Sequence, residues 1–298
     1  HFLVIHLVAS RTVMKNLFPA LLLCLLAVVA CDAAHWEPEP NTSWQWQLQG
    51  TVDTSFDVDM YDIDLFDSSQ ALIDELHAAG RKVVCYFSAG SYEEWRPDAD
   101  EFPASALGNA LDGWPGERWL DIRNSQVRSI MSDRLDLAQS KQCDGVEPDN
   151  VDGYTNDSGF PLTGADQLSF NRFLASEAHA RDLSIGLKND LDQVLDLVDD
   201  FDWALNEQCV QFDECELLSP FVQQNKAVFG VEYVEEQSET GTPAQFCPEV
   251  NALNFDWLQK DYDLTATPYV YCRNVGSPSP SPSPSPSPSP SPSPSPSP

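Results

Sequence analysis

Basic side chains are scarce: 16 lysines and arginines stand against 47 aspartates and glutamates in 298 residues, a formal net charge of −31. A surface of that sign repels phosphate backbones and anionic headgroups, so nucleic acid and acidic membrane surfaces are excluded as partners. Histidine is scarcer, at 5, and only His35, His77 and His179 follow the first thirty residues. No Cys-x-x-Cys or His-x-x-x-His spacing occurs, so no metal site is expected. No Gly-x-Gly-x-x-Gly follows the first strand pattern, which argues against a dinucleotide fold, and no other motif points to a cofactor.

The two ends differ from the middle. Met14-Lys15-Asn16 is expected to be the start, and the apolar run Leu17 to Ala30 is too short for a membrane span but suits a secretory signal. Val28-Val29-Ala30-Cys31 resembles a bacterial lipobox, with Cys31 as the site of a lipid anchor; ordinary cleavage near Ala33-Ala34 is the alternative. The expectation is an exported bacterial protein, either an envelope lipoprotein or secreted. Ser277 to Pro298 is a Ser-Pro repeat with no apolar group to bury. It is expected to be an extended, disordered tail that chemistry does not need. Residues 1–31, 36–276 and 277–298 therefore divide into leader, one barrel-sized domain and tail. Arg11 and Lys15 are the only charged residues of the leader; without them 14 bases face 47 acids, a formal charge of about −33. Six cysteines remain (Cys85, Cys143, Cys209, Cys215, Cys247, Cys272), an even number in an exported chain. Proximity suggests Cys209–Cys215 and Cys247–Cys272, leaving Cys85–Cys143 as a third pair or Cys85 as a buried free thiol.

Within the domain, strand and helix patterns alternate. Trp44 to Leu48, Met60 to Leu65, Lys82 to Ser88, Arg118 to Ile122, Asp144 to Asp149, Leu183 to Asn189, Trp203 to Glu207, Ala227 to Tyr233 and Pro268 to Tyr271 read as strands. Helices are expected up to Ala79 from a Ser68 or Asp67 cap, then at Ser125 to Ser140, Asp166 to Ala180 and Asp190 to Val198. This order predicts an α/β fold with a parallel sheet, closed into a single (β/α)8 TIM-like barrel.

Acids gather where those strands end. In a barrel such positions converge on one mouth. Asp62, Asp64, Tyr86, Ser88, Tyr92, Asp121, Glu147, Asp149, Asp152, Tyr154, Lys188, Asn189, Asp190, Glu207, Glu232 and Tyr233, together with Trp44 and Trp46, describe an acidic cleft with aromatic platforms. Paired carboxylates with aromatics are the equipment of glycoside hydrolysis, one acid to protonate the leaving oxygen and one carboxylate to attack or to activate water. Asp149 and Glu207, on separate strand ends, are the catalytic pair expected; the other residues are expected to bind substrate, with Asp152, Asp190 and Glu232 in reserve for catalysis. Lys188 either holds a neighbouring acid ionised or forms an interior salt bridge.

The segments Trp44 to Gly50, Tyr61 to Asp64, Cys85 to Pro97, Glu117 to Asp121, Gly145 to Tyr154, Gly186 to Asp190 and Asn206 to Cys209 resemble glycoside hydrolase family 114, the endo-α-1,4-polygalactosaminidases. The resemblance implies a TIM-like barrel with an electronegative cleft that cuts α-1,4-linked galactosamine polymers. It also implies that Asp149 and Glu207 are the catalytic acids. A cationic, partly deacetylated galactosamine polysaccharide is then the expected partner of a monomer. The alternatives are an α-galactosidase acting on a neutral glycan, a non-catalytic sugar-binding envelope lipoprotein, and acidity that merely serves salt tolerance.

Overall fold

The computed structural model describes residues 35–275. The leader with Cys31 and the Ser-Pro repeat lie outside the described residues. Eight parallel strands form the barrel wall: β1 (Trp44–Gln47), β2 (Met60–Asp64), β3 (Lys82–Ser88), β7 (Gly145–Asp149), β8 (Ser184–Lys188), β9 (Trp203–Glu207), β10 (Val228–Tyr233) and β11 (Asp256–Lys260), adjacent in that order. The short β12 (Val270–Tyr271) pairs antiparallel with β11. Residues 264–271 fill the seam back to β1: Leu48 N donates to Leu264 O, and Tyr269 OH to Trp44 O. The architecture is the (β/α)8 barrel.

Helices α1 (Gln70–Ala78), α2 (Ser125–Ser140) and α3 (Gly164–His179) cover the outside, each opened by a side chain that accepts from a first-turn amide. Ser69 is the cap of α1, not Ser68 or Asp67: its hydroxyl accepts from Leu72 N. The expected 190–198 helix is one 3-10 turn (Leu191–Gln193) running into α4 (Val194–Leu197).

One strand expectation fails, and one wall strand was passed over. Arg118 to Ile122 is not a wall strand. Its ordered part, β6 (Glu117–Leu120), pairs antiparallel with β4 (Ser91–Glu93) and β5 (Leu107–Ala110) in a small side sheet inserted between β3 and α2. The missing wall strand is β11, whose Asp256, Gln259 and Lys260 are all buried. Asp256 accepts from Tyr271 and Arg273, and Lys260 donates to Gln45 and to the Thr265 carbonyl, while the buried amide nitrogen of Gln259 finds no hydrogen-bond partner among the described residues. Polar residues satisfied in this way can line an interior, but their pattern imitates a loop.

Glycine makes room where the wall is tight. Gly186 lies opposite Trp203 and Gly230 opposite Trp257, and a Cβ on either would stand 2.3 or 2.1 Å from the indole. Three disulfides close the domain: Cys85–Cys143, Cys209–Cys215 and Cys247–Cys272.

Candidate active site

The site is built on the ends of β7, β8 and β9, which are neighbours in the wall. Each strand delivers its last side chain inward and then turns through left-handed backbone: Asn150 (φ 60°) after Asp149, Asn189 and Asp190 (φ 50° and 47°) after Lys188, and Gln208 (φ 67°) after Glu207. Asparagine and aspartate tolerate that region better than most residues, which suits the turns after β7 and β8; after β9, Gln208 is held there with its N–H donating to Val231 O at 2.8 Å. Three successive sharp turns hold the three preceding side chains at one height.

Lys188 is the hub. Its buried ammonium lies 2.8 Å from Glu147 Oε1, 3.1 Å from Asp149 Oδ1 and 3.4 Å from Glu207 Oε2. Burial alone would lower its pKa, but the charges of Asp149, Glu147 and Glu207 hold it well above the ordinary lysine value. Lys188 therefore remains cationic and ties three acids together.

Asp149 Oδ1 also accepts from Asn150 N (2.7 Å), and its Oδ2 from Tyr86 OH (3.0 Å). Glu207 Oε1 accepts from Tyr233 OH, and Oε2 from Asn189 Nδ2 (3.3 Å). Asn189 turns its carbonyl to Glu207 N (3.0 Å) and to Asn206 Nδ2 (3.1 Å), so one side chain fixes both the backbone and the carboxylate of Glu207.

Beneath this layer lie Glu147 and Asp62, both fully buried. Trp46 Nε1 donates to Glu147 Oε2 at 3.1 Å, and the Lys188 ammonium sits 4.9 Å above the Trp46 ring. Burial, followed by the Glu147 charge, pushes Asp62 well above the usual carboxylate range; burial pushes Glu147 up to about 7, with Lys188 opposing. Two buried carboxylates side by side cannot both be ionised. Glu147 has the lysine and the indole N–H, so Asp62 is the one that holds the proton.

An open cleft of about 410 Å³ fronts the layer. Five of its lining residues are acids (Asp152, Asp190, Asp192, Glu207 and Glu214) and none is basic. Burial, then repulsion from Asp152, pushes Asp190 up to about 8; burial, then Asp149, pushes Asp152 up to about 6. Tyr154 and Asn189 also line the cleft, as expected.

Other expected contacts are internal. Trp44 and Trp46 are buried wall residues with no face open to a sugar. Asp62, Glu147 and Lys188 support the site from within. Asp64 accepts both terminal nitrogens of Arg96 and caps Phe66 N and Asp67 N. Ser88 is buried against Ser91 and Asn150. Tyr92 packs edge-on against Phe102. Asp121 left the barrel mouth with β6 and pairs with Arg123. Glu232 is buried and accepts Val210 N, anchoring the loop after β9. Tyr233 is buried except through its bond to Glu207. Strand periodicity could not separate these from true lining residues, because depth along the barrel axis is not a periodic property.

Sequence reasoning passed over Phe212, Asp192, Glu214 and Leu217, which also line the cleft. Two of them, Phe212 and Glu214, stand on the loop closed by Cys209–Cys215, and that pairing was the available signal.

Among the described residues, His35, His179 and Asp202 could hold a metal ion. Both imidazoles hydrogen-bond Asp202 at 3.0 Å, but their rings are stacked, 4.4 Å apart and 13° from parallel. Two nearly parallel planes cannot share one in-plane ion, so the group fits a carboxylate clip better than a metal. It lies at the N-terminal end of β9, away from the cleft.

The profile of glycoside-hydrolase family GH114 matches residues 26–277. The crystal structure of Aspergillus fumigatus Ega3 in complex with galactosamine is similar at 48% identity and a TM-score of 0.76, covering 80% of this chain and 98% of that one. The glycoside hydrolase domain of PelA from Pseudomonas aeruginosa shares the fold at 13% identity, with a TM-score of 0.58 and coverage of 76% and 96%. A search of curated proteins found no match.

Proposed function

This chain belongs to glycoside-hydrolase family GH114, and from that premise we propose that it is an endo-acting hydrolase of α-1,4-linked galactosamine polysaccharide. The catalytic pair in this reading is Asp149 and Glu207, within a domain spanning residues 36–276. The observation that carries it is the cleft, which has five acids, Glu207 among them, and no base in its lining, with Asp149 held beside Glu207 by the one lysine that contacts both. The relative solved with galactosamine supports the same sugar class.

Asp149, the less exposed of the two and held by Tyr86 OH, Asn150 N and Lys188, takes the part of the nucleophile. Glu207 lines the cleft and is the more exposed of the two, so it suits the acid that meets the leaving group. In the first step the Asp149 carboxylate bonds to the anomeric carbon. The glycosidic C–O bond breaks, and the proton of Glu207 goes to the departing oxygen. In the second step Glu207 takes a proton from water, the water oxygen bonds to the anomeric carbon, and Asp149 leaves.

Geometry favours this double displacement. Oxygens 3.1 and 3.4 Å from one nitrogen are at most about 6.5 Å apart. Retaining enzymes hold their carboxyls roughly 5–5.5 Å apart and inverting enzymes roughly 6.5–9.5 Å apart. Proton NMR of the first products from deacetylated poly-α-1,4-galactosamine tests the whole reading: internal cleavage with initial α-anomers is expected. Initial β-anomers would overturn retention, and absence of cleavage would overturn the substrate.

A further inference from the structure

Four aromatic rings among the described residues are substantially exposed: Trp95 at 52%, Trp114 at 55%, Phe212 at 59% and Tyr262 at 39%. All four lie on segments that follow the C-terminal ends of barrel strands, the face that carries the cleft. Phe212 follows β9 and lines the cleft. Tyr262 follows β11 and packs against Tyr233, with centroids 4.4 Å apart and the rings tilted by 33°. Trp95 and Trp114 stand elsewhere on that face, on the side sheet that follows β3, and the mechanism gives them no task.

They share one tip. Glu94 N donates to Gly116 O (3.1 Å), and Glu117 N donates to Trp114 O (3.1 Å). Gly116 has φ 94°, and a Cβ there would stand 3.0 Å from the Trp95 ring, so glycine lets the indole lie against the turn. The tip's exposed carboxylates are Glu94 and Asp112. Arg118, the exposed base nearby, is turned to the carbonyls of Leu107 and Gly108.

The tip is joined to the catalytic strand through polar contacts. Ser91 donates to Glu117 (2.7 Å), Ser91 and Ser88 share a bond of 2.6 Å, and Asn150 donates to Ser88 (2.9 Å). Gly90 packs so closely on Asn150 that a Cβ would fall 1.7 Å from its carbonyl oxygen. The side sheet is thus held in fixed relation to Asp149.

We propose that Trp95 and Trp114, with Glu94 and Asp112, form a distal platform for further aminosugar units of the polymer whose scissile bond lies in the cleft. This rests on the galactosamine reading above. Indole faces stack on sugar rings and attract ammonium groups, and the neighbouring carboxylates match the same charge. Neither indole lines the cleft, so such a platform is expected to act on chains longer than the cleft itself holds.

The test compares Trp95→Ala, Trp114→Ala and both Phe replacements on galactosamine trimers and on long deacetylated polymer. The expected result is a KM raised about three- to tenfold per Ala replacement on polymer alone. Trimer kinetics and thermal midpoint stay as in wild type, and Phe restores most of the loss. Equal effects on both lengths, or none on either, would overturn the platform while leaving the substrate reading intact. A dimer that dissociates on either Ala replacement would overturn it in favour of an interface between copies. Wild-type protein that neither binds nor cleaves the polymer would overturn both readings.

Discussion

At the scale of single residues, the site is an exercise in keeping acids apart in protonation while together in space. One lysine faces Glu147, Asp149 and Glu207, and Asp62 lies behind them. Asp149→Asn and Glu207→Gln should each lower kcat by roughly 10²–10⁴-fold or more while retaining oligosaccharide binding, because each removes a group that must attack or exchange a proton. Steady-state kinetics and calorimetry on the same variants check this. Asp62→Asn should be far milder, since the amide replaces a group that is already neutral; a loss as large as that of Asp149→Asn would refute the proton assignment. Asp190 gives a stability test. Its folded pKa is raised to about 8 from the ordinary 3.8, so the folded protein holds a proton that the unfolded chain releases. Stability therefore falls as pH rises from about 4 to about 8, and Asp190→Asn should flatten that slope by up to about 1.4 kcal/mol per pH unit. Denaturant midpoints at pH 5 and pH 8 measure it.

At the scale of elements, β7, β8 and β9 carry the proposed catalytic groups and Lys188, and the loops after them line the cleft. The Cys209–Cys215 bridge, with a sequence separation of 6, closes a short loop directly behind Glu207, and this loop carries Phe212 and Glu214 into the cleft. The Cys85–Cys143 bridge joins β3 to the entry of β7 across 58 residues. Loop-closure entropy makes the longer bridge worth about 4 kcal/mol and the shorter one distinctly less. Paired serine replacements should separate the two. Removing Cys85 and Cys143 should lower the thermal midpoint more, whereas removing Cys209 and Cys215 should raise KM more, and melting curves with polymer kinetics would distinguish the effects. The reverse ranking in KM would mean that the loop does not touch substrate.

At the scale of the whole molecule, 47 acids against 16 bases set a field as well as a site. Acids in a concave mouth focus negative potential and speed the approach of a cationic chain. Cleavage of deacetylated polymer should therefore slow as salt rises, because screening shortens the reach of exposed charges to about 8–10 Å at moderate ionic strength. Fully N-acetylated polymer should be cleaved less well and be less sensitive to salt. Equal rates on both, flat across the salt series, would mean that the acidity belongs to the surface alone.

The alternation of strand and helix, the carboxylates closing β7 and β9, and the Cys209–Cys215 and Cys247–Cys272 pairs were legible in the chain because each is a local property, set by period, turn chemistry or proximity, whereas Cys85–Cys143, 58 residues apart, stayed open between a bridge and a free thiol. Depth was not local. Trp46 lies opposite Asp62, and Glu147 opposite Tyr86, because of register between strands. That register buries Trp44, Trp46, Asp62 and Glu147 below the mouth while leaving Asp152 and Asp190 to line it. β11 was hidden for a related reason, since its Asp256 and Lys260 become interior residues only once Tyr271, Gln45 and the 264–271 seam arrive to satisfy them. Sequence by itself determined which chemical groups end each strand. Only the closed barrel decided which of them meet at Lys188, which face the cleft and which hold up the wall, because those choices depend on contacts between strands far apart in the chain.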